Sequence, residues 1–234
     1  MRQNSLTDES ILQAAKTSMS SKLLAAESDF FGDMVVTAMR AVRMTNAQGQ
    51  VKYPVKNVHI LKTHGQSSRE SVLVDGYAIE ASRSSQGMPK VMTDCKIAFV
   101  DFNLNKFRLQ MGVQVLCQDA EELDKIRQKE MNICKMRCEK IIQAGANVVL
   151  CSRGIDDFAL KYFVEAGVIA VRRVKKFDLR RIAKSTGGKV VISLADIEDD
   201  EGAENFNPAD LGTCGRVEER RVGDWEYMFF EQMS

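Results

Sequence analysis

Apolar positions along this chain change period several times, and each change marks an element. Thr7 can cap a first helix whose opening turn carries Asp8 and Glu9, where carboxylates suit the helix dipole. Phe31, Met34, Val35, Ala38 and Val42 recur at helical spacing, which predicts a second helix capped by Ser28. The segment NAQGQ (46–50) breaks it. Extended stretches follow at VKNVHILK (55–62) and, after the polar turn THGQSSRE, at SVLVDGYAIEA (71–81). The first 70 residues therefore predict a helical pair plus a strand. That is too little to bury a core alone, so this part is expected to pack on something else.

Beyond residue 70 short apolar runs dominate: SVLVDGYAI, CKIAFVDF and MGVQVLC read as strands. A densely charged helix is predicted from about Glu121 to Ala144, with Glu121 and Lys125 in the favourable i, i+4 order. Its first half has few apolar anchors (Leu123, Ile126) and is expected in solvent. Its second half (Ile133, Cys134, Cys138, Ile141, Ile142) is expected to pack on a sheet. Then strands NVVLCS, VIAVRRV and KVVIS alternate with helices GIDDFALKYFVEAG and FDLRRIAKSTG. Three helices end in Ala-Gly or Thr-Gly, where glycine supplies the left-handed stop. Alternation of this kind predicts a parallel α/β layer. An acidic loop (195–212) and strands around RVEERRV and WEYMFFE close the chain.

Helix 154–167 stands apart. Its apolar residues run almost all round, and Asp157, Lys161 and Glu165 form one polar line. With one side on a sheet, that line faces out, flanked by Phe158 and Tyr162, as in a contact surface. A helix buried on two sides, with the line simply solvated, fits the pattern equally well.

Charge and composition exclude several classes. With 33 Lys plus Arg against 32 Asp plus Glu, the formal net charge of +1 argues against a general nucleic-acid binder. There is no apolar run long enough for a membrane span, and the polar start lacks a secretory h-region. Six scattered cysteines (Cys95, Cys117, Cys134, Cys138, Cys151, Cys214) read as reduced thiols of a cytoplasmic protein.

Sites for small chemistry find little support. There is no G-x-G-x-x-G, and STGGKVV runs from helix to strand, the reverse of a phosphate loop. The turn SRGIDD does lead from strand to helix, but Asp156 and Asp157 would repel a phosphate there. Cys134 and Cys138 offer two ligands at most, and His59 and His64 lie far away in sequence, so no metal site is expected. The acidic loop has Asn207 where an EF-hand needs its bidentate Glu. G-x-S-x-G is absent, so no catalytic residue is assigned.

Several longer motifs resemble a known family. AAKTSMSSKLL, YPVKNVHILKTHG, GYAI followed by SQGMP, DFNLNKFRLQMGVQV, DKIRQKE and GIDDFALKYFVEAGVIAVRRV occur in order from about Ser5 to Glu231. Together they resemble the eukaryotic cytosolic chaperonin, the T-complex polypeptide ring complex, and KTSMSSK and ILKTHG favour its alpha branch. The resemblance implies a group II chaperonin apical domain of α/β class with a protruding charged helix, plus a partial α+β intermediate domain. Residues 1–72 would belong to the intermediate domain, 73–217 to the apical domain, and 218–234 would return toward the intermediate domain.

The resemblance also implies unfolded clients such as actin and tubulin. They would be contacted by Asp157, Lys161, Tyr162 and Glu165 on the helix, and by Phe102, Asn103, Leu104, Asn105 and Lys106 on the loop beside it. Partner chaperonin subunits in a double ring, and hinges near Gly76 and near Gly215 or Gly223, are implied as well. ATP and Mg belong to the full-length family. The Gly-Asp-Gly-Thr-Thr motif and the strand ending Leu-Leu-Arg-Gly that precedes the catalytic aspartate are absent from these 234 residues. No cofactor is therefore placed on this chain. Two other classes stay in view: a free-standing interaction module, and an α/β enzyme with an unrecognised nucleotide site.

Overall fold

The computed structural model describes residues 7–65, 67–105, 120–194 and 206–233. The chain divides into two compact units, Met1–Leu73 and Val74–Ser234.

In the first unit, α1 (Asp8–Ser18) is capped as expected: Thr7 Oγ1 accepts from the Ser10 amide at 3.4 Å. It packs on α2 (Ser28–Ala41), and Lys16 reaches Asp29 at 2.7 Å. Gly32 lets the helices approach, since a β-carbon there would lie 3.2 Å from Lys16 Cγ. Ser28 is not the cap predicted for it. A short 3-10 turn, Ala25–Glu27, runs straight into α2, and the Ser28 hydroxyl donates back to the Ala25 carbonyl at 3.0 Å. NAQGQ becomes the turn between two short strands, β1 (Met44–Thr45) and β2 (Val51–Lys52), with Gly49 at φ 75°. VKNVHILK departs from its extended reading: Val55–Asn57 is a 3-10 turn and residues 58–62 join no sheet. A lone β-prone run with no partner strand has nothing to pair with.

The second unit is built on one seven-stranded sheet. Its strands are β3 (Gly76–Ile79), β4 (Val91–Val100), β5 (Val148–Cys151), β6 (Ile169–Val171), β7 (Val190–Val191), β8 (Gly212–Val222) and β9 (Trp225–Met233). The order is β3-β9-β8-β4-β5-β6, with β7 also beside β4. The expected parallel layer is present as β4, β5, β6 and β7, but β3, β8 and β9 pair antiparallel, so the sheet is mixed. The tight Gly223-Asp224 connection makes β8 and β9 antiparallel, because only a crossover could make them parallel. MGVQVLC lies outside the described residues.

β4 serves two partners along one edge. Its first part pairs with β8 up to Ile97, and Phe99 and Val100 pair with β7. The exchange is crowded: a β-carbon on Gly188 would sit 2.6 Å from Phe99 Cε2, and one on Gly212 would sit 2.2 Å from Thr186 Oγ1. Only glycine fits at either place.

Alternate residues of β4, β5 and β6 divide the core into two layers. Ala98, Val100, Val149, Cys151 and Ala170 face the helices α3 (Ala120–Gln143) and α4 (Asp157–Glu165). Ile97, Phe99, Val148, Leu150, Ile169 and Val171 face α5 (Lys176–Ser185) and the side chains of β8 and β9. The three expected glycine stops hold, with Gly145, Gly167 and Gly187 at φ 90°, 68° and 72°. The two halves of α3 differ as their composition predicts. Residues 121–125 are exposed, whereas Cys134, Cys138 and Ile141 are buried.

Candidate functional site

α4 answers the question its sequence poses. Ala159, Leu160 and Phe163 are buried against the sheet layer, while Asp157, Lys161 and Glu165 are exposed. Among the described residues the helix is thus covered on one side only. Asp156 caps it, its carboxylate accepting from the Asp157 amide at 2.8 Å. That same carboxylate occupies the helix start, so the 152–157 turn does not suit a phosphate. Lys161 and Glu165 approach to 3.8 Å across one helical turn. Phe158 and Tyr162 flank the charges, half-buried, with ring centroids 5.2 Å apart and edges crossed at 87°.

The loop after β4 lies alongside the approach to α4. Leu104 forms a parallel bridge with Ile155, its amide donating to the Gly154 carbonyl at 3.1 Å and its carbonyl accepting from the Asp156 amide at 3.2 Å. Gly154 is held close, since a β-carbon would meet the Asn105 amide oxygen at 3.2 Å. Two buried thiols tie the loop from below. Cys151 Sγ donates to the Phe102 carbonyl at 3.3 Å and Cys134 Sγ to the Leu104 carbonyl at 3.5 Å. Burial pushes the Cys151 thiol up to about 11, so it stays a protonated donor at neutral pH. Just before the loop, Asp101 accepts from Ser152 and from Lys176 (2.9 Å), and these bonds hold its carboxyl below the usual range.

The structure therefore brings together most of the residues singled out from sequence. Asn103 and Asn105 are exposed, and Phe102 is half-buried under Arg137, whose guanidinium sits 5.9 Å from the ring centroid. Leu104 is a correction. It is fully buried in the core and anchors the loop, so its side chain presents no contact surface. Lys106 lies outside the described residues.

Two of the three glycines expected as hinges have other work. Gly76 (φ 152°) pairs with Glu231, and a β-carbon there would fall 1.9 Å from the Phe230 carbonyl oxygen. It is the close-packed start of β3. Gly223 (φ 62°) opens the two-residue turn between β8 and β9, a hairpin position that favours glycine. Gly215 is different. It lies in β8 opposite Asp94 on one side and Gln232 on the other, both in the left-handed region at φ 50° and 56°.

Sequence reading missed a second wall beside α4. Within residues 83–88, which include most of SQGMP, Ser84 and Ser85 face the exposed stripe. Arg83 bonds Glu219 at 2.9 Å with both side chains largely buried, and it also donates to the Met88 carbonyl. The Ser84 amide donates to Ala170, and a β-carbon on Gly87 would touch Val164 at 3.1 Å. An open groove of about 400 Å³ separates this wall from α4, lined by Ser84, Ser85, Asp157, Leu160, Lys161, Val164 and Glu165. SQGMP was a local signal for it. The Arg83–Glu219 pair spans 136 residues and had none.

Comparison with known proteins agrees with this architecture. The TCP-1/cpn60 chaperonin family model matches residues 1–234. T-complex protein 1 subunit alpha of Arabidopsis thaliana is 54% identical over 92% of this chain and 39% of its own length. The same subunit of Tetrahymena pyriformis is 53% identical over 95% of this chain and 40% of its own length. Thermosome subunit beta of Saccharolobus shibatae is 34% identical over 97% of this chain and 40% of its own length. Among solved structures, the open-state monomer of a group II chaperonin from Methanococcoides burtonii superposes with a TM-score of 0.72 at 30% identity, covering 99% of this chain and 49% of that one. The chain spans about two fifths of the length of these curated relatives. With the family model matched from end to end and the group II fold shared, the chain belongs to the TCP-1/cpn60 chaperonin family.

Proposed function

We propose that this chain is the part of a chaperonin subunit that captures unfolded polypeptides, using α4 and the loop from Phe102 to Lys106. The observation that carries the reading is a rigidly backed helix whose outer side is a line of charges beside a half-exposed aromatic pair. Such a surface binds polar and apolar segments alike, yet discriminates between charge patterns. Residues 73–217 act as the apical domain, residues 1–72 as part of the intermediate domain, and residues 218–234 return toward the intermediate domain. The exposed half of α3 forms the start of a protrusion over the chamber. ATP and Mg act elsewhere in the full-length subunit, in a cytoplasmic ring of several subunits with actin and tubulin among its clients. Gly215 in β8 serves as a hinge position in this reading. No helix among the described residues is long and apolar enough to cross a membrane.

The test compares binding of the purified chain to chemically unfolded actin and to native actin. Selective binding of the unfolded form is expected. Exchanging the charges in the double variant Lys161→Glu, Glu165→Lys should weaken capture about fivefold while leaving the melting temperature unchanged, because exposed pairs add little stability. Equal affinity for both forms of actin sinks the reading.

A further inference from the structure

The groove between α4 and the Ser84–Ser85 wall has a charge order and a spacing, and these say more than that it binds unfolded chains. Asp157, Lys161 and Glu165 run negative, positive, negative along one rim. Four residues of helix advance about 6 Å. Every second residue of an extended strand advances about 6.6–6.8 Å and returns to the same face. The two repeats stay in register over the length of the stripe. Leu160 and Val164 supply the apolar part of the groove. On the opposite wall Ser84 and Ser85 line the groove. An extended segment still has free backbone groups for hydrogen bonds in such a groove, whereas a helix has already used its own.

Resting on the capture reading above, we infer that the groove selects extended client segments carrying a basic, an acidic and a basic residue at alternate positions. These face Asp157, Lys161 and Glu165 in turn, and the residues between them point away and are unconstrained. The inverted order would set like charges against each other at three places, and that repulsion provides the discrimination. The internal Lys161–Glu165 pair, 3.8 Å apart with both side chains more than half exposed, is weak enough to yield.

The experiment measures anisotropy of short labelled peptides on the purified chain at low salt. One carries Lys-Thr-Glu-Val-Lys at its centre and one carries Glu-Thr-Lys-Val-Glu. A third holds the first peptide's charges at every fourth position on a helix-forming background. The wild-type chain is expected to bind the first peptide about tenfold tighter than the second, with the gap narrowing in high salt. The triple variant Asp157→Lys, Lys161→Glu, Glu165→Lys should reverse the preference, which damage to folding could not do. Equal binding of the first two peptides, or an unreversed preference in the variant, overturns the inference. So does tighter binding of the helical peptide. If unfolded actin is still captured in those cases, the capture reading stands without the register. If it is not captured, both fall.

Discussion

The two units of this chain make elements in different ways. Val74–Ser234 buries a sheet between two apolar layers, with Phe99, Phe163 and Phe230 fully enclosed. In Met1–Leu73 the one buried hydrophobic among the described residues is Val36, while Leu23, Ile60 and Val72 are more than two-thirds exposed. Its helix pair is joined at the surface by Lys16–Asp29 and Arg40–Asp8. Surface ion pairs of this kind contribute little, whereas burial contributes in proportion to area. Regular secondary structure is therefore no measure of independent stability. The Thr7 cap of α1 and the amphipathic spacing of both helices produced α1 and α2, but not a core.

Core truncation should separate the units most. Phe163→Ala, at full burial under α4, is expected to destabilise the second unit by about 3–5 kcal/mol. Val36→Ala should cost the first unit only about 1 kcal/mol. Denaturant unfolding followed by hydrogen exchange in each unit reads both. Equal losses would break the comparison.

A smaller effect tests polar anchoring within the second unit. Glu219→Ala leaves the Arg83 guanidinium largely buried and unpaired, which costs about 3 kcal/mol and frees the wall opposite α4. Thermal melting reads the stability. Faster exchange of the Ser84 amide, which donates to Ala170, reads the wall. An unchanged melt would show that the pair is already hydrated.

The smallest effect is acid sensitivity. Hydrogen bonds and nearby cations depress Asp101 and Glu218 in the second unit, through Ser152 and Lys176 for the first and Arg220 for the second. A depressed carboxylate stabilises the fold fully above its unfolded pKa, and that contribution is lost as pH falls through the folded value. The second unit should therefore weaken below about pH 4, and Asp101→Asn should flatten that limb of the stability curve. Asp29 in the first unit is also depressed, by its bond to Lys16, but it is fully exposed, so its effect should vanish in added salt.

What could be read from the chain alone was whatever neighbours in sequence decide. Period-3.6 spacing placed the helices, glycines after Ala or Thr placed their stops, and the line of Asp157, Lys161 and Glu165 placed the exposed side of α4. These depend on a few successive residues, so local pattern suffices. The mixed direction of the sheet, the fork at Phe99 between β7 and β8, and the burial of Leu104 depend on strands far apart in the chain meeting in space. The same holds for Gly76, whose need for glycine comes from the Phe230 carbonyl 154 residues on, and for the groove wall held by Arg83 and Glu219. Local periodicity says which side of an element is apolar. Only packing says what covers that side, and which polar residues beside it remain open to a partner.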